Sequence, residues 1–369
     1  MKHFEKLTIE MFRGLKNAEF HDLGEVNLFV GNNNSGKTSA LEAIELLSNP
    51  FSAKNYYNIS RLRDHTFGFP RGGRLPFIDS LLWMFPLNSE KNRDPIKFSA
   101  IIKNQKIDVG IHVSEEVQVK LEADQTDENT QFNLFDEDSP ETIKILNLEV
   151  NRNGEINRKT KSLLFREDNL IIRDLEDEDT LKSTMITPID HRSGSFSVRK
   201  INDAIISGDK PRLISALRLF DNNIKGLELL LSNNRNTKSL LPYIDHEELG
   251  LVPIMMFGDG LRKALTVASA LIESQNGIIL IDEIETAVHT SVLGEFFSWL
   301  IEACKMFKVQ LFATTHSLEA IDGIISASKK DDYNLVVYRL SKNNKTTAVK
   351  RFSSKTISSL RFELGQDVR

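Results

Sequence analysis

Residues 31–38 form the most specific chemical motif in this sequence. They read GNNNSGKT and fit the pattern G-x-x-x-x-G-K-[ST]. In this pattern the glycines allow a tight turn, and main-chain amides surround phosphate oxygens. Lys37 then reaches the outer phosphates, and the Thr38 hydroxyl can ligate Mg²⁺. We predict a site for a nucleoside triphosphate, ATP, with Mg²⁺. The nucleotide contacts expected here are Asn32, Asn33, Asn34, Ser35, Gly36, Lys37, Thr38 and Ser39.

The flanking residues supply the elements that such a loop requires. An apolar run from Val26 to Val30 precedes it and predicts a buried strand. A helical pattern from Ser39 to Leu47 follows, with apolar residues at spacings of three and four. A strand, a glycine loop and a helix N-terminus together direct positive partial charge at phosphate oxygens. A chance glycine turn is the alternative, and this context disfavours it.

A second segment ends in adjacent carboxylates. Four aliphatic residues, Ile278 to Ile281, predict a strand buried on both faces of a parallel sheet. Asp282 and Glu283 follow, at the strand edge where open α/β sheets bind ligands. We predict Asp282 as a metal ligand with Thr38, and Glu283 as the group that polarises the attacking water. The acids alone would suggest an ordinary solvated strand end, but the upstream loop favours catalysis.

Two further segments fit the same site. A third apolar strand, Val309 to Thr315, precedes His316, and a histidine there could contact the γ-phosphate. A lone histidine at a strand end is more often structural. Gly258, Asp259 and Gly260 open an amphipathic helix and form a second phosphate-sized anion site. One subunit needs only one phosphate loop, so we predict that this helix start serves the nucleotide of a neighbouring subunit. A simple glycine turn before a helix remains the alternative for this segment.

Taken together, these motifs resemble the ABC-type ATPase head of SMC, RecF and OLD-family proteins. The segments that carry the resemblance occur in the family order. They are the opening strand with its Phe-Arg-Gly turn at 12–14, GNNNSGKTSALEAI as Walker A, FGDGLRKAL in place of the signature motif, LIDEIE as Walker B, the E-x-x-x-H stretch Glu285 to His289 in place of the D-loop, and His316 as the H-loop histidine.

The resemblance implies a fold, an activity and roles for residues. The implied fold is α/β: a P-loop ABC-type ATPase head with a mixed or parallel central sheet. The implied activity is ATP hydrolysis by heads that dimerise or oligomerise, with Glu283 and His316 catalytic and Arg13 among the nucleotide contacts. The signature segment lacks the usual serine, since Phe257 precedes Gly258. The γ-phosphate contact of that serine therefore has no assigned residue, and no Q-loop glutamine is located.

The middle of the chain departs from a compact ATPase. We predict a discontinuous core over 1–50 and 191–345, a β-rich insertion over 51–190 and a tail over 346–369. Alternation predicts strands at 96–102, 106–113, 117–122, 142–150 and 162–172. Residues 122–141 hold many acids and no lysine or arginine, which predicts a mobile loop, with a docking arm for a basic partner as the alternative. Apolar spacing over 197–240 predicts helices.

Composition narrows the functional class. The formal net charge is −5 and one cysteine is present, which fits a protein of the reducing cytoplasm without a global nucleic-acid signature. No run approaches the roughly 20 apolar residues that span a bilayer, so we expect no membrane association. Interleaved aromatic and basic residues over 51–95 either contact nucleic acid or pack on the core beside the adenine.

Two functions therefore compete. By resemblance to stand-alone OLD-like ATPases, the first is a regulatory subunit that controls a separate effector protein encoded nearby, as in bacterial anti-phage systems. The second is a RecF-type DNA-binding ATPase of DNA repair or maintenance. An ABC transporter subunit is disfavoured by the β-rich middle. The short segment after His316 carries no clustered metal carboxylates, so we expect no nuclease activity from this chain.

Overall fold

The structure is a computed structural model. It describes residues 2–62, 75–88, 90, 92–117, 143–152, 157–166, 180–192, 198–231, 240–330, 334–342 and 346–369. The predicted acidic loop at 122–141 lies outside the described residues. So does most of the basic segment between Arg61 and Leu75. Among the described residues, no helix is long and apolar enough to cross a membrane.

The central sheet places the predicted motifs at one edge. Its strand order is β15-β14-β3-β13-β12-β8, and all strands are parallel except the edge strand β15. The strands are β3 (Val26–Val30), β8 (Ser183–Ile186), β12 (Ile278–Ile281), β13 (Gln310–Thr314), β14 (Leu335–Lys342) and β15 (Thr347–Ser353). All residues of β3, β12 and β13 are buried. Short aliphatic runs buried on both faces are typical of parallel sheets.

Helices cover the faces of this sheet and complete its hydrophobic core. The covering helices are α1 (Lys37–Ser48), α7 (Thr290–Phe307) and α8 (Leu318–Lys330). The apolar side of α7 and α8 packs with the buried residues on one face of the sheet. The apolar side of α1 packs with the other face and with a second sheet. The strands are thereby held in register while their carboxyl ends stay accessible.

The second sheet is antiparallel, in the order β2-β1-β4-β5-β6-β7. Its strands are β1 (Phe4–Phe12), β2 (Leu15–Phe20), β4 (Ile96–Ile102), β5 (Gln105–Val117), β6 (Ile143–Arg152) and β7 (Asn157–Arg166). The β-rich middle of the chain thus extends a sheet that the N-terminal strands begin. Two helices, α2 (Ala53–Arg61) and α3 (Phe77–Leu82), precede β4.

The domain limits at 50, 190 and 345 stay predictions, and the sheet pairing refines their meaning. Strand β8 falls inside the predicted insertion but pairs in parallel with β12 of the central sheet. Strand β15 falls inside the predicted tail and pairs with β14. A short final helix, α9 (Ser354–Ser358), follows β15. The elements that frame the site therefore come from several separate parts of the chain.

A third group of elements packs around the helix that follows the second glycine pair. It contains α4 (Val198–Ile206), α5 (Lys210–Arg218), the antiparallel strands β9 (Ile224–Leu231), β10 (Leu240–His246) and β11 (Gly250–Pro253), and α6 (Asp259–Glu273). The helices predicted over 197–240 are confirmed as α4 and α5 within 198–218 and wrong over 224–231, where β9 forms; residues 232–239 lie outside the described residues. Ile224 and Leu227 have a helical spacing, but Gly226 weakens a helix there, and β10 supplies cross-strand partners.

Candidate nucleotide-binding site

The phosphate loop connects β3 to α1 and needs both of its glycines. Gly31 and Gly36 have φ values of 144° and 100°. A Cβ at Gly31 would lie 2.4 Å from the Leu340 carbonyl oxygen, and one at Gly36 would lie 2.4 Å from the Leu15 side chain. Neither position has room for a side chain, so the loop closes tightly against β14 and β2.

The lysine of the loop folds over the turn. Lys37 Nζ donates to the carbonyl oxygens of Gly31 at 2.8 Å and Asn32 at 3.0 Å. Burial lowers the pKa of Lys37, while Asp282, Glu283 and their neighbour Glu285 act to raise it. The ammonium therefore binds the loop carbonyls and lies within the electrostatic field of the carboxylates that follow β12.

A chain of hydroxyl and carboxylate oxygens joins three strands at the sheet edge. Thr38 Oγ1 lies 3.1 and 3.0 Å from the two carboxylate oxygens of Asp282. Thr314 Oγ1 donates to Asp282 Oδ1 at 2.5 Å. Burial raises the pKa of Asp282, and the two hydroxyl donors oppose that rise. Such hard oxygen donors, with phosphates, suit Mg²⁺, so the structure brings together the predicted metal ligands Thr38 and Asp282.

The predicted catalytic residues lie on adjoining loops at the same edge. Glu283 adopts a left-handed conformation with φ 47°, and its N–H donates to Thr314 Oγ1 at 2.8 Å. The Thr286 hydroxyl donates to Glu283 Oε2 at 3.2 Å. His316 Nδ1 lies 4.0 Å from Glu283 Oε1 and 3.4 Å from Glu285 Oε1. The Glu283 and His316 side chains are 43% and 55% exposed, so both are open to a substrate.

The second glycine pair, Gly258 and Gly260, lies at the start of α6, and the two glycines differ in what surrounds them. A Cβ at Gly260 would meet the Phe220 ring at 3.0 Å and the Ala287 carbonyl oxygen at 3.3 Å. A Cβ at Gly258 would meet nothing within 4 Å among the described residues. Arg192 and Arg262 bind the Asp259 carboxylate. Gly260 thus packs inside its own subunit, whereas Gly258 faces open space.

Arg13 connects the first hairpin to the phosphate-loop helix. Its Nε lies 2.7 Å from Oε2 of the fully buried Glu42 in α1. A terminal nitrogen of Arg13 donates to the Ile59 carbonyl oxygen at 3.1 Å. These contacts hold β1, α1 and α2 together. A direct contact between Arg13 and the nucleotide stays a prediction.

The sequence analysis did not assign the polar loop that follows β8 to the site. This strand lies beside β12, so its loop reaches the same edge as Asp282. The Thr187 N–H donates to Asp190 Oδ2 at 2.7 Å. His191 is buried, which lowers its pKa. The strand has only four residues, too few for a clear alternation, but the TPIDHR stretch after it is a polar signal.

Sequence reasoning missed Lys263, and it placed Glu285 in the D-loop stretch without assigning it a role. Lys263 lies in α6 and is fully buried. Burial lowers its pKa to about 8, while Asp190, Glu285, Asp282 and Glu283 act to raise it. Glu285 accepts a hydrogen bond from the His316 N–H at 3.3 Å. In a helical pattern a lysine is normally assigned to the solvent face, so no local signal predicts this burial.

Comparison with known proteins agrees with this geometry. The family described as "AAA ATPase domain" matches residues 3–321. An "ATP/GTP phosphatase" of Helicobacter pylori is 26% identical over 351 residues, covering 89% of each chain. The "DNA replication and repair protein RecF" of Acinetobacter baumannii is 52% identical over 46 residues, 12% of this chain and 13% of that one.

A solved structure shows the same fold. An SMC head bound to the C-winged helix domain of ScpA matches with a TM-score of 0.50 at 13% identity, covering 99% of this chain and 100% of that one. The chain therefore belongs to the AAA ATPase domain family, with the fold of an SMC-type ATPase head.

Proposed function

We propose that this chain hydrolyses ATP in sites that two heads complete together, and that it uses this cycle to control a separate effector protein. The observation that carries the proposal is the open environment of Gly258 at the start of α6. Met255 and Met256 lie just before it and are 51% and 76% exposed. Exposed apolar side chains beside an anion-binding helix start suit a surface that closes on the phosphate loop of a second copy.

Within one head, the residues divide the work of hydrolysis. The phosphate loop and Lys37 bind the phosphates, and Thr38 and Asp282 would hold Mg²⁺, which would neutralise charge on the phosphates when bound. Glu283 orients the attacking water and accepts its proton. His316 contacts the γ-phosphate from the neighbouring loop. Thr314 fixes Asp282 and the Glu283 main chain with one hydroxyl, so the metal ligand and the base keep a defined separation.

Assembly is tested with a variant that binds ATP without hydrolysing it. Glu283→Gln with ATP and Mg²⁺ should change from one head to a pair or larger assembly in light scattering. The wild type should show specific ATPase activity that rises with protein concentration. Full specific activity in a preparation that remains monomeric would contradict the shared site.

The effector role rests on the resemblance to stand-alone OLD-like ATPases of anti-phage systems. We expect a partner encoded near this gene to co-purify with the chain, and the association to change with ATP or with Glu283→Gln. We also expect the purified chain to leave linear, circular and single-stranded DNA intact with Mg²⁺ or Mn²⁺. Metal-dependent cleavage that a substitution in this chain abolishes would overturn that expectation.

A second candidate function is DNA binding of the RecF type. The local match to RecF, 52% identical over 46 residues, favours it. Its test is binding of duplex DNA over a range of salt concentrations. Tight binding with a steep salt dependence, without a recovered protein partner, would favour this function over effector control.

A further inference from the structure

Two buried polar atoms without hydrogen-bond partners belong to α6 and to the loop after β12. They are Lys263 Nζ and Glu285 Oε2, and neither bonds to any part of the chain that the structure describes. A buried ammonium costs free energy unless a carboxylate or a hydrogen bond compensates it. Methionine would fill a similar volume without that cost, so the lysine is poorly explained by packing alone.

The geometry of α6 directs this lysine at the catalytic loops. Gly260 lies against the Ala287 carbonyl oxygen, and Lys263 follows it by three residues, on the same face of the helix. Glu285, in the loop that contains Ala287, is one of the carboxylates within electrostatic reach of the lysine. Asp190, after β8, exerts the strongest such pull. Lys263 is thus within electrostatic reach of carboxylates in the loops that follow two adjacent strands, β8 and β12.

Glu285 links this lysine to the switch histidine. Its Oε1 accepts from the His316 N–H at 3.3 Å and lies 3.4 Å from His316 Nδ1. Its Oε2 is the atom without a partner. One oxygen of the Glu285 carboxylate thus accepts a hydrogen bond from His316. The buried Lys263 ammonium on α6 attracts the same carboxylate electrostatically.

We propose that Lys263 is a positioning residue that holds Glu285, and through it His316, in the arrangement needed for hydrolysis. The helix that presents Gly258 outward would then also control its own subunit's site. The inference rests on ATP hydrolysis by this chain and does not require pairing of heads.

The test compares Lys263→Met, Glu285→Gln and the double variant. Each single change should lower kcat about tenfold and leave the Kd of ATP within about threefold, since neither side chain belongs to the phosphate loop. The double variant should lose no more activity than the more impaired of the two single variants, because both changes remove the same electrostatic interaction. Melting temperature should stay equal or rise in Lys263→Met, since a buried charge is removed.

Lys305→Met is the control, because Lys305 is exposed on α7, and it should keep wild-type kcat. The proposal is overturned if Lys263→Met keeps kcat within twofold of wild type, if the two losses multiply, or if the variant unfolds or melts more than about 5 °C below wild type. An inactive wild type would instead contradict the ATPase assignment itself.

Discussion

The two glycine-opened helices of this molecule, α1 and α6, have opposite surroundings. At α1, the polar groups satisfy one another within the chain: Lys37 binds the loop carbonyls, and Thr38 binds Asp282. At α6, the first glycine faces open space and exposed methionines precede it. The α1 end holds the groups predicted to bind a triphosphate and a metal, and the described residues show no equivalent set at the α6 end.

This difference assigns nucleotide binding to the α1 end and completion of the catalytic site to the α6 end of a second head. A preformed loop binds phosphate because its amides are already aligned. An open helix start contributes only when another surface carries an anion to it. Substitutions at the α1 end should therefore affect nucleotide affinity, and substitutions at Gly258 should affect turnover alone.

Loss of the loop lysine should have the largest effect. Lys37→Ala removes the ammonium that we predict at the outer phosphates, so we expect ATP affinity to fall by about 100-fold or more. Calorimetric titration measures it. Lys54→Ala is the control because Lys54 is exposed on α2. Equal affinity of wild type and Lys37→Ala would contradict the assignment of the loop.

Blocking the open helix start should abolish turnover without loss of binding. Gly258→Arg places a long side chain where its own subunit leaves space, so kcat should fall about 100-fold while the Kd of ATP stays unchanged. Gly260→Arg is a poorer test, because it would strike Phe220 and Ala287 of the same chain. Gly294→Arg, on an open face of α7, is the matched control. Unchanged kcat in Gly258→Arg would contradict a role for this helix start.

A single hydroxyl should matter less. Thr314→Val keeps the shape of the side chain and removes the group that binds both Asp282 and the Glu283 N–H. We expect kcat to fall about tenfold and the Mg²⁺ requirement to rise. Thr266→Val is the control, since that hydroxyl bonds only within α6. If Thr314→Val needs no more Mg²⁺ than wild type for full activity, Asp282 does not depend on the Thr314 hydrogen bond.

The α1 side of the site was largely predictable from sequence. Strand 26–30 has its predicted bounds, and the strands before Asp282 and His316 agree within one residue. These elements are short apolar runs ending in polar residues, and local pattern is enough to identify them. The parallel order of the sheet then brings Thr38, Asp282 and Glu283 to one edge.

The α6 side was less predictable because its surroundings are set by distant residues. The sequence shows Gly258 and Gly260 as equivalent, yet Phe220 covers only the second. Lys263 looks like a solvated lysine until the packing of α6 is known. The loop at 187–192 reaches the site only because β8 pairs with β12, and no local pattern reports that pairing.

The last effect concerns the stability of the fold and its dependence on pH. Of the effects predicted here, it should change ATPase activity least. Glu45 in α1 is largely buried, and burial raises its pKa to about 7. The folded chain therefore holds this proton more tightly than the unfolded chain. Its contribution to stability is present below pH 4.5 and is lost as pH rises through 7, by about 3 kcal/mol at most. Glu45→Gln should flatten this slope in chemical unfolding followed between pH 5 and pH 8. An unchanged slope would show that Glu45 is not the group responsible.

The most direct test of the shared site mixes two inactive proteins. Lys37→Ala keeps a normal α6 start, and Gly258→Arg keeps a normal phosphate loop, so a mixed pair contains one intact site. An equimolar mixture should regain about one quarter of wild-type ATPase activity, because half of the pairs are mixed and each has one of two sites. Activity no greater than the sum of the separate variants would contradict the claim that two heads complete one site.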